Sequence, residues 1–170
     1  YGNYGFHCFW FNFIWYVMKE FDYELDYKNI DFTIEENRKL YRIGRGEQGV
    51  LLVRPYTHDI CPYWVFRTPE LAVKSSNYIY DMFCDYKEKQ DFIGMDMARK
   101  FLEMGFTRAR RYANHRDGNK YDAEGNIKPQ EPDHATCDKA KSAKIFKEVR
   151  DKAAYDPTYQ KMRKLWRSQE

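Results

Sequence analysis

Between Asp91 and Gly105 the apolar residues Ile93, Met97, Phe101 and Met104 recur at intervals of three and four, the repeat of one face of an α-helix. A chain with such a stripe must bury it against other elements, so the remainder is read for partners. Asp91 can cap this helix by accepting its free first-turn amides, and Gly105 is placed to end it in a left-handed conformation. Thr107 can then start a further helix. Upstream, Thr68-Pro69-Glu70 combines a capping hydroxyl, a proline suited to the first turn and an acid at the positive dipole end. The helix that follows would bury Ala72, Ser76, Ile79, Tyr80 and Phe83 and expose Lys74, Asp81, Asp85 and Glu88.

Before these helices the pattern changes. Residues 19 to 32 alternate acidic and aromatic side chains, which suits an extended arm with Phe21, Tyr23, Leu25 and Tyr27 on one side. Residues 40 to 43 and 49 to 56 flank a glycine-rich stretch, and the β-branched Val50 and Val53 favour two antiparallel strands joined by a loop. Tyr63 to Phe66 can add a third. After Arg116 a stretch rich in Gly, Asn, Asp and Pro reads as a mobile loop. Ala140, Ala143, Phe146 and Val149 then mark a lysine-studded amphipathic helix, and Asp156-Pro157 introduces a last one with Tyr159, Met162 and Trp166. The expected fold class is therefore α+β: a small antiparallel sheet or hairpin packed against a helical cluster, with C-terminal helices. Residues 18–170 are expected to form a single domain, with a core at 18–116, a loop at 117–134 and C-terminal helices at 135–170.

Residues 1–17 stand apart, with nine aromatic residues and no Asp, Glu, Lys or Arg. Two readings are open: a translated leader that is not native, with Met18 as the start, or an aromatic anchor at a membrane surface. The chain as a whole is 32% charged and its net charge is only +3, so neither disorder nor membrane insertion is suggested. Cys8, Cys61, Cys84 and Cys137 lie far apart with no C-x-x-C pair. No metal and no cofactor is signalled, and a reducing, cytoplasmic compartment is expected.

Gly44-Arg45-Gly46-Glu47-Gln48-Gly49 matches G-x-G-x-x-G, but a dinucleotide site needs this pattern to open a helix, whereas here a strand is expected. A kinase-like loop would need V-A-I-K, H-R-D and D-F-G sequences that the chain lacks. What is left is a hairpin loop whose glycines accept positive φ, or an anion site built from the amides of Gly44, Arg45, Gly46 and Gly49. His58, Asp59 and Cys61 read as an ordinary loop, because a metal needs three or four ligands brought together. Asp96, Arg99, Lys100 and Glu103 have the spacing of ion pairs along an exposed helical face.

The segment from Arg108 to Arg116 differs, since four arginines, Tyr112, Asn114 and His115 occur there without one acidic residue. On a helix, Phe106, Ala109 and Ala113 would face inward and Arg108, Arg111 and His115 outward, with Arg110 and Tyr112 on the flanks. A guanidinium binds phosphate or carboxylate in two-pronged fashion, so a phosphate-bearing partner such as nucleic acid is one expectation. The other is that these arginines pair with Asp22, Glu24 and Asp26 of the acidic arm.

The strings LYRIGRGEQGVLLVRPY, YWVFRTPELA and DFIGMDMARKFLEMGFTRARRYANH together resemble the family Domain of Unknown Function 4385 from about Phe21 to Tyr121, with looser similarity beyond. The resemblance implies bacterial or phage relatives and a cytoplasmic setting; it implies no mechanism. The leading functional expectation is a binding module for nucleic acid or another phosphate-bearing ligand, using Arg99, Arg108, Arg110, Arg111, Tyr112 and His115. Two alternatives stand beside it. One is a small enzyme that sets Arg45 or Arg99 with His115 and Glu47 around an anionic substrate; the other is a protein-interaction subunit.

Overall fold

A computed structural model describes residues 21–170, and the expected leader or anchor at 1–17 lies outside them. Six helices occur in this range: α1 (Glu35–Arg38), α2 (Tyr56–Ile60), α3 (Pro69–Glu88), α4 (Phe92–Asn114), α5 (Asp138–Ala154) and α6 (Pro157–Arg167), with one 3-10 turn at Cys61–Tyr63. The local start signals operate as the sequence implies. Thr68 Oγ1 accepts from the Leu71 amide at 3.3 Å, Asp91 Oδ1 from the Gly94 amide at 3.2 Å, and Asp156 Oδ1 from the Tyr159 amide at 3.0 Å.

The helix expected to stop at Gly105 does not stop. The stripe of Ile93, Met97, Phe101 and Met104 continues through Ala109 and Ala113, all of them buried, so α4 runs about 35 Å as one rod. Gly105 serves packing instead of termination: a Cβ there would lie 2.3 Å from the Phe146 ring, so its hydrogen lets α5 lie close against α4. α3, α4 and α5 pack on one another, and this three-helix layer holds most of the core.

The expected antiparallel sheet is absent among the described residues. Leu40 closes a turn, residues 41–43 take no regular structure and pair with no strand among the described residues, and residues 45–53 form successive turns, with Gln48, Val50 and Leu52 amides donating to Arg45, Glu47 and Gly49 carbonyls at 2.9–3.1 Å. Only isolated bridges remain, Asp31 with Arg54 and Tyr121 with Ile127. The correction has a physical cause. Tyr41, Ile43, Val50 and Val53 are each buried in the helical core, so turns deliver the apolar side chains that a pleat was expected to deliver. Gly49, at φ +80° with the Phe21 ring directly beneath it, and Gly46, at φ +54°, do take the positive φ expected of them. Tyr63 to Phe66 likewise leaves a 3-10 turn as a connector and adds no strand. The fold is therefore helical, not α+β.

The acidic arm also departs from period two, because Phe21 and Tyr27 are buried while Tyr23 is 63% exposed. Its rings begin a chain of aromatic contacts that engages eight of the aromatic residues of the sequence. Phe21, Tyr27, Phe32, Tyr41, Trp166, Phe92, Tyr159 and Phe83 touch in succession at centroid distances of 5.0 to 6.2 Å. This path joins the N-terminal arm, α6, α4 and α3. Among the described residues no helix is long and apolar enough to cross a membrane.

Candidate anion-binding site

The N-terminal half of α4 carries charge inward. Asp96 and Lys100 are fully buried and Arg99 is 11% exposed, so the face expected to be solvated is part of the interior. Asp96 Oδ1 accepts from Tyr159 Oη at 2.6 Å and Arg99 Nε at 3.2 Å, while Oδ2 accepts from Tyr41 Oη and lies 3.4 Å from Lys100 Nζ. Lys100 also donates to Tyr41 Oη at 3.0 Å. Burial pushes the Asp96 carboxyl up, but Lys100, Arg99 and the two tyrosine hydroxyls outweigh it and hold the group below the usual carboxylate range. Burial pulls the Lys100 ammonium down despite Asp96 beside it, and burial with Asp96 nearby drives both phenols up. Glu103, the fourth residue of the expected surface pairs, meets Arg150 of α5. A hint was in the sequence: Asp96 sits between Met95 and Met97 in a run of otherwise uncharged residues from Phe92 to Ala98.

Arg99 is thereby largely committed, since its Nη2 also donates to the Gly46 carbonyl at 3.0 Å. The glycine-rich loop shows this guanidinium an acceptor, and the amides of Arg45 and Gln48 are engaged within the loop itself. Glu47 accepts from Thr107 Oγ1 at 2.5 Å. Arg99 and His115 stand sixteen residues apart on and just past one helix, about 24 Å along its axis. They cannot converge on one small ligand, and Arg99 with Gly44, Arg45, Gly46 and Gly49 forms a group separate from the arginine-rich end.

At that end a cleft of about 780 Å³ opens between the last turns of α4 and the following loop. Arg110, Arg111, Asn114 and His115 line one side, and Lys120 and Tyr121 the other, with no carboxylate among the lining residues. Arg110 Nη1 donates to the His134 carbonyl at 2.9 Å, which holds its side chain along the wall. Arg111 is exposed and forms no ion pair among the described residues. The loop folds back through Asp122, whose carboxylate accepts from the Glu124 and Asn126 amides at 3.0 and 2.8 Å. That turn sets Tyr121 against Ile127 and carries Lys120 to the rim.

His115 corrects the expected outward face. It lies one residue beyond α4 in extended backbone, φ −143° and ψ 112°, and the Gly118 amide closes a turn on its carbonyl at 2.8 Å. Its ring therefore tucks under the loop, 5% exposed, with Nδ1 buried and without a hydrogen-bond partner among the described residues; Asn114 Oδ1 is in the same state. Neither atom has appreciable accessible surface, so the cleft presents a ligand with Arg110, Arg111 and Lys120 and not with these two groups. Arg108 is half-buried and lines none of the described cavities; Arg116 pairs with Glu131 and Asp133 at 3.3 and 3.6 Å. Tyr112 faces a second cavity on the other flank of α4. The acidic arm neutralises none of these cations among the described residues, since Asp22 and Asp26 bond locally to the Glu24 amide and Asn29.

Of the residues expected to bind, Arg110, Arg111 and His115 line this cleft and Arg99, Arg108 and Tyr112 do not; Lys120, outside the expected set, reaches it only because the loop folds back.

These features define a helical domain with a buried ionic centre and a cationic cleft at the end of its longest helix. The chain belongs to the family described as Domain of unknown function (DUF4385), whose profile matches residues 22–169. The match runs beyond Tyr121 through α5 and α6, further than the motifs alone reach. No curated protein and no solved structure matches the chain.

Proposed function

We propose that this protein is a binding module for phosphate-bearing ligands, nucleic acid included, and that the cleft at the C-terminal end of α4 is its site. The observation that carries the reading is the exposed Arg111, which forms no ion pair among the described residues, beside Arg110 and Lys120 in a cleft without carboxylates. Arg111 and Lys120 attract the anion, and Arg110 is fixed by the His134 carbonyl and keeps its other guanidinium nitrogens for it. Cations near a helix C-terminus are also favoured by the dipole, so the site costs α4 little stability when empty. The three unbridged thiols of Cys61, Cys84 and Cys137 suit a cytoplasmic setting.

Backbone amide shifts test this during titration with pyrophosphate and ribose 5-phosphate at low salt. Shifts should concentrate at residues 110–121, and Arg111→Ala should weaken binding about tenfold or more, the effect of one charge-assisted hydrogen bond. Absence of shifts there with both probes, or an unchanged affinity in Arg111→Ala, sinks the reading.

A further inference from the structure

The cleft at the end of α4 is larger than a phosphate group needs. At about 780 Å³ it has the size of a site for a whole small molecule, within the usual range of about 300–1,000 Å³, and its cations occupy only part of the wall. The loop after α4 supplies much of the rest. It folds back tightly: the Lys128 amide donates to the Lys120 carbonyl at 2.9 Å and the Asp122 amide to the Asn126 carbonyl at 3.0 Å. Gly125, at φ +85°, turns the chain between them, and Lys128 Nζ ties the base of the fold-back to the Asp117 carboxylate at 2.5 Å.

These bonds hold two apolar side chains out in water. Tyr121 and Ile127 stand opposite each other across the bridge, 55% and 65% exposed, and both line the cleft. Single exposed apolar residues are ordinary on a protein surface. An opposed pair fixed by backbone bonds, across a cleft from Arg110 and Arg111, is a platform left open to an apolar group. The Tyr121 ring stacks on no other ring among the described residues, and Lys120 Nζ lies over one face at 5.5 Å from the centroid, which leaves the other. Asn119 and Gln130 also line the cleft, and their side-chain amides form no hydrogen bond among the described residues. Each offers a donor and an acceptor, which suits a ring whose edge carries both, whereas a phenyl or alkyl group carries neither.

We infer that the ligand of the cleft is a nucleotide unit, free or within a single strand, whose base stacks on Tyr121 beside Ile127 while its phosphate meets Arg111. The inference rests on the cleft reading for its phosphate and adds the base, both being held within one cavity. Stacking tolerates any base, so Tyr121 tells base from no base and not one sequence from another.

The test is calorimetric titration of the full chain at low salt with adenosine and uridine 5′-monophosphates, ribose 5-phosphate and an oligoadenylate decamer. The tighter mononucleotide should bind about 5- to 150-fold better than ribose 5-phosphate, the span of one base–aromatic stack. Tyr121→Ala should bring the mononucleotide down to the level of ribose 5-phosphate, and Tyr121→Phe should keep its advantage. Tyr155→Ala, at an exposed tyrosine between α5 and α6, should keep it too. Survival of the advantage in Tyr121→Ala, or its loss in Tyr155→Ala, overturns the platform. Equal affinity for mononucleotides and ribose 5-phosphate overturns the base and leaves the cleft reading standing; binding of neither overturns both. This comparison uses the unaltered protein, so it survives a variant that fails to fold. Within a positive result, a decamer that binds more tightly with a salt slope of about −0.7 per neutralised phosphate identifies a strand, and equal binding identifies a free nucleotide.

Discussion

Asp96 is the residue on which the interior charge balance turns. Its carboxylate faces Arg99 and Lys100, both removed from water, and its two remaining acceptor positions hold Tyr41 and Tyr159. Asp96→Asn leaves two buried cations without a counter-charge and should cost about 3–5 kcal/mol in urea unfolding at pH 7. Lys100→Met should cost markedly less, because Asp96 keeps Arg99 and both hydroxyls. The pH dependence has a definite sign. The folded-state value lies below the ordinary one, so Asp96 stabilises fully above the unfolded value of ~3.9 and loses that contribution as pH falls through the folded value. The gap between wild type and Asp96→Asn should therefore narrow by about 1.4 kcal/mol per pH unit below pH ~4. A gap that stays constant down to pH 2.5 would mean that shape, not charge, explains the cost.

Among the elements, α4 and α5 depend on one close approach. Gly→Ala inside a helix ordinarily gains up to about 1 kcal/mol, but at Gly105 the new methyl would stand 2.3 Å from the Phe146 ring. Gly105→Ala should instead lose about 1–3 kcal/mol through overpacking, and Phe146→Leu in the same chain should recover part of it. Thermal melts of the wild type and the two variants decide this, and a stabilised Gly105→Ala would refute this packing. The same position shows what was legible in the sequence. Caps at Thr68, Asp91 and Asp156 and the stripes of α3 and α5 were legible because their causes lie within one or two helical turns. Gly105 was misread as a stop because its reason, Phe146, lies far along the chain. Val50 and Val53 were misread as strand because β-branched residues buried from turns look locally like those buried from a pleat. In the candidate site Arg110, Arg111 and His115 could be found by composition, whereas the inward turn of His115 and the approach of Lys120 depend on the folded loop.

For the molecule as a whole, the last helix is the clasp that closes the aromatic path on the N-terminal segment. Tyr159 hydrogen-bonds Asp96, Asp156 pairs with Lys87 of α3 at 2.5 Å, and Trp166 Nε1 donates to the Tyr41 carbonyl at 3.2 Å. Arg167 Nη2 donates to the Ile43 carbonyl at 2.6 Å, while Glu170 accepts from the Ile43 amide at 2.7 Å. The segment from Tyr41 to Ile43 was expected to satisfy its backbone in a strand, and it does so through side chains of the C-terminus. Ending the chain at Ala154 removes these partners together, opens Phe92 to water and leaves Asp96 with one hydroxyl fewer. Each loss is about 1 kcal/mol or more, and their sum approaches the 5–15 kcal/mol that holds a typical domain folded. The truncated chain should therefore lose its cooperative urea transition, or show it at a much lower midpoint, with increased Trp64 emission change confined to low denaturant. A midpoint within experimental error of the full chain would make α6 an appendage, and the cleft at the far end of α4 would then have to be held by α3 and α5 alone.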